Sequence, residues 1–169
     1  MVRLLGAVLV AAGAAWLGFG AAAGIRERVR ALSDMAGGLA VLEQELELSG
    51  APLPILMSHA AERSRGCARE LFTACAEELG NLEREAFSAL WTRNLWEQKL
   101  LGEAGRSLML PLGDVLGRCG WQDQRERIAH VRHRLEELAS EEEARQRREG
   151  RVYRVLGLSG GAFLVILLL

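Results

Sequence analysis

The chain has 169 residues, room for one domain of ordinary size, with 21 basic and 22 acidic side chains and a formal net charge of −1. That balance supplies no basic field for nucleic acid, and the four tryptophans and one tyrosine are not interleaved with Arg or Lys along a strand pattern, so nucleic-acid binding has little support. The charges are unevenly placed: residues 1–24 hold one, Arg3, and residues 152–169 hold one, Arg154. The chain therefore reads as an apolar segment, a charged middle and a second apolar segment.

From Leu4 to Ala23 the run LLGAVLVAAGAAWLGFGAAA carries no charge over twenty residues. As a helix this is about 30 Å, enough to cross a hydrocarbon core, and residues 1–24 are expected to form an N-terminal transmembrane helix. A cleaved leader is the competing reading, because Arg3 precedes the run and GAAAG offers small residues for cleavage. Arg26, Arg28 and Arg30 directly after the run argue for retention, since such basic clusters stay on the cytoplasmic side.

Over residues 25–46 the apolar positions Ile25, Val29, Leu32, Ala36, Leu39, Leu42 and Leu46 repeat every three or four residues, which predicts that the helix continues with one apolar face. LSGAPLP stops it: Gly50 suits a helix end, and Pro52 and Pro54 make the turn into a second helix that starts near Leu53. Beyond Gly66, Leu71, Phe72, Cys75 and Leu79 mark a third helix; Leu82, Ala86, Leu90 and Trp91 mark a fourth. Trp96, Leu100 and Leu101 continue that stripe after a break predicted near Arg93 and Asn94. With no alternating β-branched run, the expected fold class is all-α, a bundle of about five to six helices over residues 25–151 with short connections.

The stretch LPLGDVLGRCGWQDQ, Leu110 to Gln124, has two readings, a phosphate loop or a tight turn between packed helices. A phosphate loop needs a strand before it and a Lys with Ser or Thr at its end, and neither is present. The turn reading wins: Leu112, Gly113, Leu116 and Gly117 form a helix face whose two glycines allow close approach, Gly120 ends that helix, and Asp123 with Gln124 opens the next, Asp123 as its cap. From there Trp121, Gln124, Ile128, Val131, Leu135 and Leu138 follow a heptad spacing, and SEEEARQRREGR reads as a solvated connector. No proline follows Pro111, so residues 121–169 are predicted to form one helix of roughly 70 Å with Gly150 its weakest point. Arg145, Arg147, Arg148 and Arg151 flank the last segment, VYRVLGLSGGAFLVILLL, the expected C-terminal transmembrane helix over residues 152–169. Both basic flanks give one orientation, with residues 25–151 facing the cytoplasm.

Little chemistry is visible. Cys67, Cys75 and Cys119 are odd in number and too far apart for a CxxC pair, and they read as buried thiols in a reducing compartment. No serine has a GxSxG context. His130 and His133, with Glu126 and Glu137 one turn either side, offer a metal-capable arrangement, though HxxH is also the ordinary pattern of a solvated helix face. No catalytic residue, metal or cofactor is expected; a small membrane-bound enzyme or metal-dependent sensor using His130 and His133 stands as the alternative.

The order of the N-terminal LLGAVLV run, the PLP turn with its Ala-rich helix at Pro52 to Ala61, the LGxxLG pair at Leu112 to Gly117 followed by Asp123 and Gln124, and the C-terminal YRVLGLSGGAFLVILLL resembles stage III sporulation protein AB over nearly the whole chain. The resemblance implies a membrane protein of endospore formers, placed in the mother-cell membrane around the forespore. Its cytoplasmic domain is similar to the helical modules of type II secretion F-type inner-membrane proteins. The implied role is a non-enzymatic platform in the mother cell–forespore channel complex, with a stage III sporulation protein AA-type ATPase and other channel membrane proteins as partners, and with self-association open.

Overall fold

The computed structural model describes the backbone of residues 2–80 and 86–168 and the side chains of residues 24–48, 50–80 and 86–148. Among the described residues there are seven α-helices, one 3-10 turn and no strand, the all-α class that the periodicity predicts. The helices are α1 (Val2–Ser49), α2 (Leu53–Arg63), α3 (Gly66–Leu79), α4 (Phe87–Glu97), α5 (Gly102–Met109), α6 (Leu112–Val115) and α7 (Trp121–Leu168), with the 3-10 turn Lys99–Leu101 before α5.

The chain divides into two units. One comprises Met1–Glu27 and Glu141–Leu169, the outer parts of α1 and α7. Of the two expected transmembrane segments, residues 1–24 and 152–169, every residue but Gly24 has its side chain outside the described residues. Among the described residues no helix is long and apolar enough to cross a membrane. The other unit, Arg28–Ser140, holds the helical bundle.

The bundle is organised around one face of α1. Leu32, Met35, Leu39 and Leu42 have no exposed surface, and Ala31, Ala36 and Leu46 complete the stripe. Its upper positions are those predicted from the spacing, whereas Ile25 and Val29 are only half-buried. With this face, one continuous core contains Ala68, Leu71, Phe72 and Cys75 of α3, Leu90, Trp91 and Leu95 of α4, Met109 of α5, and Ile128, Val131 and Leu135 of α7. The closest approach is at Gly38. A Cβ there would lie 2.5 Å from Ala68 Cβ and 3.0 Å from the Phe72 ring, so only glycine lets α3 press onto α1. The neighbouring Gly37 has open space around it.

Turns follow from residues that helices cannot hold. Gly50 adopts φ +52°, a left-handed conformation that ends α1, and Pro52 precedes α2 with its carbonyl accepting from the Ile55 and Leu56 amides at 3.0 and 3.1 Å. Gly66, at φ +50°, opens α3 where the Asp34 carboxylate would clash with any side chain. The break expected near Arg93 and Asn94 does not occur. α4 runs through both residues to Glu97, because Asn94 folds its side chain back onto the Leu90 carbonyl (3.2 Å) and toward Glu78 (3.4 Å), while Arg93 pairs with Glu78. The chain breaks instead at Gln98, and Trp96 and Leu100 are about half exposed, at 48 % and 51 %, so only Leu101 of that stripe joins the core.

Polar ties lie at the edges of the apolar face. Glu45 is buried on α1, receives the Arg63 guanidinium and stands 3.3 Å from His59 Nδ1, both on α2. The hydrogen bond from Arg63 holds the Glu45 carboxyl below its ordinary value of 4.5 despite the opposing cost of burial. Cys67 donates to the Ala31 carbonyl at 3.1 Å, and burial pushes the thiols of Cys67 and Cys75 up to about 12, so neither forms a thiolate near neutrality. Cys119 departs from the buried-thiol expectation: it is exposed, in the loop before α7.

The two adjacent glycines of α1 should respond oppositely to alanine. Gly37→Ala is expected to stabilise the bundle by about 0.5–1 kcal/mol through helix propensity, and Gly38→Ala to destabilise it by about 1–3 kcal/mol through overpacking, both read by thermal unfolding. Equal effects would remove Gly38 as the contact point. Because native Glu45 holds its proton less tightly than the unfolded chain, its contribution is present above about pH 4.5 and lost as pH falls through the lower native value. Glu45→Gln should therefore destabilise by about 1–2 kcal/mol at pH 7 and flatten the acid limb of a stability–pH curve.

Candidate functional site

Several elements meet at one end of the bundle: the C-terminus of α1, the Pro52 turn into α2, the loop after α6 and the first turns of α7. Leu53, half-buried at the start of α2, reaches Gly117, where an added Cβ would meet its Cδ2 at 3.0 Å. Arg125 of α7 pairs with Glu47 of α1, and Arg132 Nε stands 3.4 Å from Glu43 while its Nη1 donates to Glu136 at 2.9 Å. Each such pair at or near the surface contributes little alone, but together they favour one register of α7 on α1.

The Leu110 to Gln124 stretch is built differently from the helix face expected of it. α6 is a single turn, Leu112–Val115. Gly113 lies within it, buried, where a Cβ would sit 2.8 Å from the Trp91 ring, and Leu112 and Leu116 are buried beside it. Gly117 lies beyond the helix at φ +79°, so its need for glycine is a left-handed turn rather than a second contact on a shared helix face. Gly120 likewise does not end α6; its carbonyl accepts from the Gln124 amide at 3.0 Å and opens α7.

The residue that ties this loop is Gln124. Its Oε1 accepts from the Gly117 amide at 3.3 Å and its Nε2 donates to the Cys119 carbonyl at 2.6 Å, so one side chain closes the loop from both directions. Asp123 is exposed in the first turn of α7, where its charge suits the helix N-terminus, whereas Gln124 ties the loop that precedes the helix. Trp91 fixes the other side, donating Nε1–H to the Met109 carbonyl at 3.0 Å.

Around this fixed loop the surface is partly apolar. Leu48, Ile55 and Trp121 are large and exposed, at 72 %, 47 % and 55 %. Trp121 therefore does not take the core position that the heptad spacing assigns to it; it borders an open groove with Glu43, Gln122, Arg125, Glu126 and Ala129. Pro52 and Pro54 are exposed at the same turn. Of the flanking arginines, Arg26 and Arg30 are exposed, Arg28 is half-buried against Gly102, Arg145 and Arg148 are exposed, and Arg147 pairs with Glu143 at 2.6 Å; the Arg151 side chain lies outside the described residues.

The histidines are not gathered into a site. His133 is 69 % exposed and pairs along its own helix with Glu137 at 3.3 Å and Glu136 at 3.9 Å; His130 is also exposed. Among the described residues no group of three or more His, Cys, Asp or Glu is arranged to hold a metal ion.

Gln124→Ala should lose both loop hydrogen bonds and destabilise by about 1–2 kcal/mol, with Gln124→Glu intermediate because it keeps only the acceptor. Faster hydrogen exchange at the Gly117 amide in the alanine variant checks the assignment; an unchanged rate would contradict it.

A sequence profile for stage III sporulation protein AB matches residues 3–169. Stage III sporulation protein AB of Bacillus subtilis (strain 168) is 26 % identical over 172 residues, covering all of both chains. A solved structure of stage III sporulation protein AB (SpoIIIAB) superposes with a TM-score of 0.63 at 22 % identity, covering 72 % of this chain and 98 % of that one, a likeness of fold. With the profile spanning both terminal apolar runs and the bundle between them, the chain belongs to the stage III sporulation protein AB family.

Proposed function

We propose that this chain is a non-enzymatic membrane platform of the mother cell–forespore channel complex in endospore formation, and that its bundle couples a cytoplasmic secretion-type ATPase to the membrane machine. The observation that carries the reading is the family match over residues 3–169, which includes the two uncharged runs as well as the bundle. In this reading residues 1–24 and 152–169 cross the mother-cell membrane around the forespore, and Arg26, Arg28, Arg30, Arg145, Arg147, Arg148 and Arg151 hold residues 25–151 in the cytoplasm. Partners are the stage III sporulation protein AA-type ATPase and other membrane proteins of the channel, and no cofactor is needed.

Physical features of the bundle support a docking role. Leu48, Ile55 and Trp121 are the kind of exposed apolar groups that a partner covers, and they stand on the helices α1, α2 and α7, so little backbone ordering is required on binding. Trp is the residue type most enriched at binding hot spots.

The test is binding of the full-length chain in lipid nanodiscs to the cognate ATPase, with and without nucleotide. Saturable binding that falls at least tenfold, about 1.4 kcal/mol, in Trp121→Ala is the expected result. No binding by a folded, correctly inserted chain would contradict the coupling role.

A further inference from the structure

We propose that the groove between α1 and the first turns of α7 seats an arginine side chain of a partner protein, stacked on the Trp121 indole and paired with the Glu126 carboxylate. The inference rests on the docking role proposed above and names the chemistry of the contact. Glu43 of α1 and Trp121, Gln122, Arg125, Glu126 and Ala129 of α7 line the groove, which is open and about 400 Å³ in volume. The α7 residues fall on two adjacent rows spaced by four, so one helix face presents both the indole and the carboxylate.

Charge selects the occupant. Arg125, the one cation lining the groove, pairs with Glu47 and stands 4.0 Å from Glu43. Arg132 approaches Glu43 at 3.4 Å and is shared with Glu136. Glu126 is exposed and has no ion pair among the described residues, so four carboxylates meet two guanidiniums and the groove keeps a surplus of negative charge. The backbone does not cancel it. Glu47 beside Arg125 and Glu43 beside Arg132 set α1 antiparallel to α7, so the negative end of α1 adjoins the positive end of α7, where Asp123 adds a further carboxylate. Elsewhere in the bundle an exposed indole has its cation: Arg106 lies 4.5 Å over the Trp96 ring. Trp121 is exposed at 55 % against 48 % for Trp96, yet among the described residues no cation lies over its ring. A guanidinium suits the seat better than an ammonium, because its plane stacks on the indole while its N–H fork reaches the carboxylate.

The test uses the full-length chain in lipid nanodiscs with the cognate ATPase, and binding is measured at low and at physiological salt. Glu126→Gln should weaken binding about threefold to tenfold and reduce its salt dependence, whereas Glu103→Gln on α5, the same loss of charge outside the groove, should stay within about twofold. Trp121→Leu, which keeps an apolar side chain but no π face, should weaken binding by about the same factor as Glu126→Gln. Glu126→Arg should abolish binding, and exchange of one exposed arginine of the ATPase for glutamate, found by scanning, should restore it. Because Glu126 is exposed and unpaired, its variants should unfold at the parent temperature, which separates lost binding from lost fold. Parent binding that Glu126→Gln lowers no more than Glu103→Gln overturns the proposal and leaves the coupling role standing. A Glu126→Arg defect that no arginine exchange restores overturns it in the same way. Intact ATPase binding by Glu126→Arg, with self-association in vesicles lost on cross-linking, assigns the groove to a second copy and also overturns it. Absence of binding by a folded, inserted parent chain removes the coupling role and this inference together.

Discussion

The contact of α1 with α3 at Gly38 is the constraint on which the rest of the bundle depends. Bringing the two backbones this close lets Phe72 and Leu71 reach the Leu32, Met35, Leu39 and Leu42 face, and α4, α5 and α7 then complete a core already begun. A glycine in a helix interior weakens that helix by roughly 1 kcal/mol relative to alanine, so its presence is offset by what the approach buries. The Cys67 hydrogen bond to Ala31 and the Asp34 carboxylate beside Gly66 sit at the start of the same contact, fixing where α3 begins along α1.

Much of this was legible in the sequence, and the failures have identifiable causes. The three-four spacing from Leu32 to Leu46 marks the buried face because α1 is covered along that stretch, and Gly50 with Pro52 marks its end because neither residue can extend a helix there. Spacing places Trp96, Leu100 and Trp121 on stripes, yet all three are exposed, since periodicity records which residues share a face and not whether a neighbour covers it. The break assigned to Arg93 and Asn94 fails because Asn94 bonds to the carbonyl of its own helix and is buried. The signal for Gly38 is faint, since Gly37 beside it is the same letter with open space around it.

The loop before α7 is half legible in the same way. The Leu112 to Gln124 motif contains the residues that shape the loop. What spacing could not show is that Gly117 is required by its backbone angle and Gly113 by the Trp91 ring, or that Gln124 rather than Asp123 ties the loop. Both glycines answer the same letter for different physical reasons. The fold thus presents a partly apolar end where Leu48, Ile55 and Trp121 are exposed.

Central to all of this is that the buried face over residues 31–46 of α1 anchors the core of the bundle. Native-state hydrogen exchange on the full-length chain tests it most directly. The slowest amides should lie in residues 31–46 of α1, with those of α3 and of residues 128–139 in α7 next, all opening only with global unfolding of the bundle. Exchange of the α1 amides at rates well above those of α3 and α4 would show that the bundle persists without α1 in place and would contradict the account.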